Sequence, residues 1–496
     1  PKPSSAASDV YKRQGVEMEQ EKTLYEYVYR MILHTIHNGK YRYNEELPSL
    51  NTLCKAYGVG RNTMRTALQK LQSHGYVVLE KGSPAKVLFD INDFDNNVQY
   101  RQTMLDSYQM IYDVFTVIEW IMPDISVICM RNASKEQIKG LEEKVIALSQ
   151  RQLVNEIDVY EYLYDLYLYV LSFLDNPILN DLFLTLMNSL TLPLVQNEEE
   201  HKKLTNNFDA MKKTFTIALR FVLKGNDFML RKLIYALCKG IKNITLSYTK
   251  RLTQGMTIKE KAKFSWVSNR SQEYLYTRVV TDIMNDIKTG IYHNGDLLPS
   301  LAKLATLYEV SERTSRKAVK KLNEFHIVNT INGIGSRIQL DDQTIKDFMK
   351  SADDHMLNGL QHYRHSLQLL DLFAGFIFPH VQNQFNKERC QSLADKIGEL
   401  DVFTFDEYFQ LLFTEENDCL RVIYEELNKP MNWNLIACIM ADKQEMINEI
   451  KALQPLYCEH LRKRHFHKMN EIMHQVFAIR LQMADMAIAA CQKAFQ

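Results

Sequence analysis

Arg61 and Arg65 are the side chains of this chain best suited to recognise a nucleic-acid base. Residues four apart share one face of a helix, and arginine donates two parallel hydrogen bonds to O6 and N7 of guanine. The stretch from Arg61 to Ser73 contains no acidic residue. An isolated pair of this kind is more often a solvated helix surface, so the sequence around it decides between the two interpretations.

That surrounding sequence occurs twice. Leu47 returns as Leu298 within the same Leu-Pro-Ser-Leu motif, so the repeat shift is 298 minus 47, or 251 positions. The register holds without a gap over about 70 residues. The residues kept in both copies include Tyr25/Tyr276, Val28/Val279, Ile32/Ile283, Ile36/Ile287, Tyr57/Tyr308, Thr63/Thr314, Arg65/Arg316, Leu71/Leu322 and Gly82/Gly333. The repeat therefore predicts two domains of the same fold.

Each copy has the pattern of three helices and a hairpin. The spacing of Tyr25, Val28, Ile32 and Ile36 predicts an amphipathic first helix. A short second helix follows the serine of Leu-Pro-Ser, which is a good N-cap residue. The third helix is expected at about Arg61–Ser73 and Glu312–Glu324, with Ser311 a stronger N-cap than Gly60. Two β-type runs around a glycine turn predict the hairpin, at 76–89 and 327–340.

Three helices and a two-stranded hairpin form a winged helix-turn-helix, and both copies resemble the GntR family of bacterial transcription regulators. The resemblance rests on the Leu-Pro-Ser motif, the glycine of the hairpin and the third helix. That helix reads Val-Gly-Arg-Asn-Thr-Met-Arg-Thr-Ala-Leu at 59–68 and Val-Ser-Glu-Arg-Thr-Ser-Arg-Lys-Ala-Val at 310–319. The resemblance implies that the winged domains bind double-stranded DNA in transcription regulation.

The candidate DNA contacts lie on the third helix, before the second helix and on the wing. Serine and threonine suit phosphate contacts, which position the domain. The candidates are Ser49, Arg61, Asn62, Thr63, Arg65, Lys70, Lys81 and Lys86 in the first copy, and Ser300, Arg313, Thr314, Arg316, Lys317 and Arg337 in the second. The copies differ at Arg61/Glu312 and Met64/Ser315, positions where we expect DNA to be touched. The second copy is then either a reader of a different half-site or a structural pseudo-domain.

The expected fold is mainly α, with two winged helix-turn-helix domains alternating with two all-α helical bundles. Helical spacing of apolar residues, as from Leu204 to Val222, predicts the bundles. Met18 is the expected natural start. The expected segments are a disordered leader at 1–17, winged domain 1 at 18–92, a bundle at 97–250, a linker at 251–272, winged domain 2 at 273–341 and a bundle at 343–496.

The composition restricts the partners that the protein can bind and the cellular compartment in which we expect it. Lysine plus arginine equal aspartate plus glutamate at 60 each, so any basic surface must be local. The eight cysteines form no CxxC pair, which favours free thiols in a reducing compartment. No apolar run reaches the length of a membrane span. We therefore expect a cytoplasmic protein with no membrane partner.

The bundles look weakly similar to the FadR/FCD-type effector domains that follow many GntR winged helices. This resemblance implies an unknown small-molecule effector, such as an organic acid, a sugar acid or a fatty acyl thioester. The metal ligands of that family are not recognisable here, although the second bundle is rich in histidine, so we expect no metal and no cofactor.

The sequence leaves alternatives open for the assembly of the protein and for its function. Two readers in one chain predict an intramolecular pseudo-dimer, with a homodimer left open. The competing functions are an interaction scaffold with degenerate winged helices and a fusion to a pyridoxal-phosphate enzyme. The second winged helix stands where the catalytic domain of such a fusion would lie, and the chain lacks a Gly-rich phosphate loop, so we expect no enzyme activity.

Overall fold

The computed structural model describes most of the chain in two compact units. The described residues are 24–37, 40–90, 98–150, 156–190, 198–268, 274–288, 290–339, 354–400, 417–441 and 443–494. The first unit comprises the described residues of 23–268 and 413–423, and the second comprises those of 269–412 and 424–496. The predicted leader, Met18 and Gly39 lie outside the described residues.

The first winged domain packs three helices beneath a short hairpin. Its elements are α1 (24–37), α2 (Leu50–Tyr57), α3 (Arg61–Ser73), β1 (Val77–Val78) and β2 (Lys86–Val87). The predicted apolar face of α1 is buried, with Val28 and Ile36 at 0% exposure. The Ser49 side chain accepts the backbone N–H of Thr52 and so begins α2. The strands β1 and β2 are antiparallel.

The second winged domain repeats this order with a longer wing. Its elements are α11 (Tyr274–Lys288), α12 (Leu301–Leu307), α13 (Glu312–Glu324), β3 (Val328–Ile331) and β4 (Gly335–Ile338). Ser300 caps α12 and Ser311 caps α13, whereas Gly60 provides no side-chain cap to α3. The predicted difference in cap strength is therefore confirmed. The strands pair from Val328↔Ile338 to Ile331↔Gly335.

The remaining described secondary structure is helical. In the first unit these helices are α4 (Val98–Asp106), α5 (Tyr108–Asn132), α6 (Lys135–Gln150), α7 (Glu156–Leu171), α8 (Pro177–Asn188), α9 (Glu198–Leu223) and α10 (Asp227–Leu252), with a 3-10 turn at Ser172–Leu174. The helices after winged domain 2 are α14 (Asp354–Val381), α15 (Lys387–Gly398), α16 (Asp418–Asn428), α17 (Asn434–Ala441), α18 (Gln444–Arg462) and α19 (Phe466–Ala494), with 3-10 turns at Gln382–Gln384 and Lys429–Trp433. The fold class, mainly α with two winged domains, is confirmed.

Side-chain contacts hold the long helices α5 and α10 of the first bundle together. Apolar residues at helical spacing bury one face of α10, where Leu230, Ile234 and Cys238 are all buried. Lys242 on α10 donates to Glu119 of α5 at 3.1 Å and to the Thr116 hydroxyl at 2.8 Å. Both ionic groups are nearly buried, so removing one partner would leave an uncompensated charge. None of the described helices combines the length and hydrophobicity needed to cross a bilayer.

The segment predicted as a linker is packed against the first unit over its described part. Helix α10 extends to Leu252, and backbone N–H groups of Lys259 and Ala262 donate to Asp106 at 2.9 Å each. Phe264 and Trp266 are buried at 4% and 0% exposure. This stretch is polar on average, as a linker would be, but it contains these two aromatic residues. Their burial holds the stretch against the first unit. The domain boundaries themselves remain predictions.

Two buried histidines lie on α1 of the first winged domain. Burial lowers the pKa of His34 to about 4 and that of His37 to about 3. The His37 ring packs against the rings of Tyr76, Phe89 and Tyr100, with centroids 5.0–5.1 Å away. The folded domain therefore holds both imidazoles neutral at pH values where an exposed histidine is charged.

Acid is expected to destabilise the first winged domain through these two buried histidines. The unfolded chain binds protons on both histidines below about pH 6.5 and the folded chain does not, so stability falls from there until about pH 4 for His34 and about pH 3 for His37. For His37 alone the loss at pH 5 is about 2 kcal/mol. Urea unfolding at pH 7 and pH 5 measures it. His37→Phe should reduce the difference in stability between the two pH values. A substitution of the exposed His293 should leave that difference unchanged. Equal stability of the wild type at both pH values would contradict the prediction.

Candidate nucleic-acid interface

Helix α3 separates a buried face from a basic one. Met64, Ala67, Leu68 and Leu71 are buried and fix the helix on the core of the winged domain. Arg61, Arg65 and Asn62 project outward and are exposed. The predicted pairing of the two arginines on one outer face therefore follows from the burial of the opposite face. Nε of Arg61 donates to Oδ1 of Asn51 on α2 at 3.1 Å, which orients this guanidinium beside the start of α2.

The other first-copy candidates lie at the helix starts and on the wing. Ser49 is exposed, and its Oγ accepts the Thr52 N–H at 3.3 Å while lying 2.8 Å from the Thr52 hydroxyl. Thr63 is half-buried on the first turn of α3. Lys81 is exposed at the tip of the wing and Lys86 is half-buried on β2. The structure places these cationic groups on the same domain as Arg61 and Arg65.

Lys70 differs from the other candidates, because its side chain is held by acidic residues of the same unit. Its Nζ lies 2.5 Å from Oε1 of Glu26 and 3.3 Å from Oε1 of Glu260, and 5.2 Å from the ring centroid of Tyr29. The side chain is only 18% exposed. Lys70 therefore ties α3 to α1 and to the docked 253–268 segment. The spacing of residues along α3 could not predict these two ion-pair partners, because they lie in distant parts of the chain.

Helix α13 of the second copy keeps a basic but altered outer face. Arg313, Arg316 and Lys317 are exposed, as is Glu312 in the place of Arg61. Nζ of Lys317 lies 5.6 Å from the centroid of the Tyr276 ring on α11. Thr314 and Ser311 lie at the first turn, where the Ser311 hydroxyl accepts the Thr314 N–H at 3.1 Å.

The remaining second-copy candidates flank this helix. Ser300 is exposed and caps α12, and Arg337 is exposed on β4 of the wing. Every candidate of the second copy therefore lies on an accessible part of winged domain 2, except that Thr314 is half-buried.

One predicted contact difference between the copies is wrong. Met64 and Ser315 were expected where DNA is touched, but both are completely buried. They face the core because they lie on the same side of the helix as the conserved alanine and leucine positions, Ala67/Ala318 and Leu71/Leu322. The replacement of methionine by serine alters core packing, and Arg61/Glu312 is the difference that lies on the outer surface.

Both winged domains match a known family. The model for "bacterial regulatory proteins, gntR family" matches residues 24–87 and 275–338, which contain the three helices and the wing of each copy. The chain therefore carries two tandem winged helices of the GntR type. No curated protein matches it.

Two solved structures show similarity to part of this chain. One, named Streptococcus agalactiae GntR, is 14% identical, with 44% of this chain and 99% of that chain covered and a TM-score of 0.20. The other is 17% identical, with 46% and 97% covered and a TM-score of 0.21. Its title states that Lar controls the expression of the Listeria monocytogenes agr system and mediates virulence.

Proposed function

We propose that the outer faces of α3 and α13 read two different DNA half-sites and so regulate transcription. The observation that carries this proposal is the pair Arg61 and Arg65, exposed on one face of α3 within a GntR-type domain. Neither forms an ion pair with any described residue. Guanine recognition by such guanidinium groups is the commonest specific contact in the major groove. Because Glu312 replaces Arg61 and Arg313 is displaced by one residue, the operator is asymmetric. A regulator of this kind acts on the chromosome, which places it in the cytoplasm.

The decisive experiment is DNA binding at several salt concentrations, followed by selection of preferred duplexes from a random library. A DNA reader loses affinity steeply as salt rises, because bound cations on DNA are released. Selection should return two unlike half-sites. An interaction scaffold with degenerate winged helices would bind little duplex DNA at any salt, and this result would reject the proposal. A palindromic selected site would reject the two-reader part alone.

Lys81 and Lys70 offer a matched pair of lysines for this assay. Lys81→Gln should reduce the slope of log affinity against log salt by about 1, because one phosphate contact is lost. Lys70→Gln should leave that slope unchanged and lower the thermal stability of the first unit, since its charge is engaged by Glu26 and Glu260. A larger change of slope for Lys70→Gln than for Lys81→Gln would contradict this assignment.

The assembly that best suits two readers is an intramolecular pseudo-dimer. One chain supplies both winged domains, and the described residues 417–423 of its second half are part of the first unit. There, Nδ2 of Asn417 donates to the backbone oxygen of Asp113 at 3.1 Å. Sedimentation equilibrium should show monomers at micromolar concentration. An obligate dimer at that concentration would count against a pseudo-dimer.

The first bundle offers a location for effector binding. It contains a cavity of about 50 Å³ among apolar side chains. Residues on its wall include Met130, Leu141, Tyr167, Phe215 and Leu219. Pockets that hold drug-sized ligands are commonly about 300–1,000 Å³, so an effector must be small and apolar or must widen this space. Ligands that bind the folded bundle should raise its melting temperature.

A further inference from the structure

Helices α3 and α13 expose the same positions but begin with side chains of opposite charge. Residues 61–69 and 312–320 have an identical order of exposed, half-buried and buried positions. The first turn of α13 therefore presents Glu312 as the first turn of α3 presents Arg61. In helices that enter the major groove, the residues at the N-terminal end contact the base edges. An acidic side chain thus occupies the place where the first copy carries its foremost arginine.

The carboxylate of Glu312 is available on the surface of α13. Arg316 lies one turn further along the helix, at a spacing that suits an ion pair. The described ion pairs of this helix instead join Lys320 and Lys321 to Glu324 at its other end. Glu312 and Arg316 are both exposed, and neither forms an ion pair with a described residue. The two side chains therefore present an acceptor and a donor next to each other.

The neighbouring residue on the preceding helix differs between the copies as well. In the first copy, Nε of Arg61 donates to Oδ1 of Asn51 on α2 at 3.1 Å. At the repeat shift of 251, Ala302 of α12 stands at the place of Asn51. Alanine has no polar side-chain atom, so α12 provides no partner to Glu312 at the corresponding point. The arginine and the amide that orients it are therefore replaced together.

The change from a guanidinium to a carboxylate reverses the hydrogen bonds that this position forms. Arginine only donates, and O6 and N7 of guanine accept from it. An ionised carboxylate only accepts. In the major groove cytosine presents its N4 amino group as a donor, for which glutamate is a suitable partner. Adenine is less suitable, because its N7 acceptor lies beside the N6 donor and repels a carboxylate.

We propose that Glu312 selects cytosine at the base position where Arg61 of the first copy selects guanine. This inference rests on the DNA reading proposed above and specifies the base that is read. Arg316 keeps the place of Arg65, so the half-sites agree at the base that these arginines contact. They differ at the neighbouring position, where the base pair is inverted. Each winged domain then disfavours the half-site of the other, because the wrong base sets acceptor against acceptor or donor against donor.

A purely structural role for Glu312 predicts a different result. A carboxylate in the first turn of a helix is favoured by the positive end of the helix dipole. In that role, replacing Glu312 would lower the stability of the second winged domain. It would also change the affinity for all duplexes alike, since repulsion between a carboxylate and phosphates does not depend on the base. The preference between bases is therefore the measurement that separates the two roles.

The test measures base preference with the full chain and the selected operator. The second half-site is the one that Arg316→Ala weakens, and each of its positions is changed to each of the four bases in turn. At one position the wild type should prefer cytosine by at least about fivefold. Glu312→Gln should transfer that preference to adenine, because glutamine pairs with N6 and N7. Glu312→Arg combined with Ala302→Asn rebuilds the pair of the first copy and should prefer guanine.

The same variants distinguish failure of this inference from failure of DNA reading itself. If Arg316→Ala weakens binding but every Glu312 variant keeps the base preferences of the wild type, the assignment of cytosine to Glu312 is wrong. If neither Arg316→Ala nor any Glu312 variant changes binding, the second winged domain is not a reader and both proposals fail for it. Glu324→Gln, at the other end of α13, is the control for loss of an acidic side chain and should leave every base preference unchanged. Thermal unfolding of each variant verifies its fold.

Discussion

Arg65→Ala is expected to weaken sequence-specific DNA binding by the first winged domain and to leave its fold intact. The side chain is exposed on the outer face of α3, opposite the buried Met64, Leu68 and Leu71, so its removal takes no contact from the core. A bidentate arginine contributes about 1–3 kcal/mol of discrimination between bases. Affinity for the selected half-site should therefore fall by about 5-fold to 150-fold, with little change for random duplex.

The matched substitution in the second copy separates the two readers. Arg316 occupies the position of Arg65 at the repeat shift and is also exposed. Arg316→Ala should weaken only the other half of the operator, and Lys224→Ala in the first bundle should change neither half. The measurement is competition binding with duplexes in which each half-site is altered separately. Unchanged operator affinity for Arg65→Ala, in a variant that unfolds like the wild type, would defeat the assignment of α3 as a reader.

Trp266→Ala should destabilise the first unit more than any other single change in the 253–268 segment. The indole is completely buried, and its Nε1 donates to Oδ2 of Asp181 on α8 at 2.8 Å. Truncating a buried tryptophan costs about 3–5 kcal/mol, because transfer energy is lost and a cavity remains. Trp266→Phe should lie between the wild type and the alanine variant, since it keeps part of the volume and loses the hydrogen bond.

Urea unfolding of the full chain measures this effect. Ile258→Ala is the control within the same segment, because that side chain is 51% exposed and should change stability by less than about 0.5 kcal/mol. Equal stability of Trp266→Ala and Ile258→Ala would show that the segment is a tether without a packing role. A large loss for Trp266→Ala would establish it as part of the first unit.

The docked segment couples the first reader to its bundle. Nε of Arg30 on α1 donates to the backbone oxygen of Lys263 at 3.0 Å, and Glu260 contacts Lys70 on α3. The same segment bonds to α4 through Asp106 and to α8 through Trp266. A change in the bundle that moves this segment therefore acts directly on the helix that carries Arg65. We propose this contact as the route by which an effector bound in the bundle alters DNA binding.

The sequence by itself determined the features that depend on local spacing. The ungapped repeat specified two winged domains. The helical period placed Arg61 and Arg65 on one face, and the Leu-Pro-Ser serines marked the starts of α2 and α12. These features were predictable because helix periodicity and capping act over a few residues.

Only the tertiary structure decided which side chains remain available. Lys70 was indistinguishable in sequence from a DNA contact, but Glu26 and Glu260 engage its charge from 44 and 190 residues away. Met64 and Ser315 were assigned to the DNA surface, and core packing buries both. The polar stretch after α10 was predicted to be a linker, and burial of Phe264 and Trp266 holds it against the first unit. In each case the deciding partner is distant in sequence, and burial and ion pairing depend on what the fold brings close.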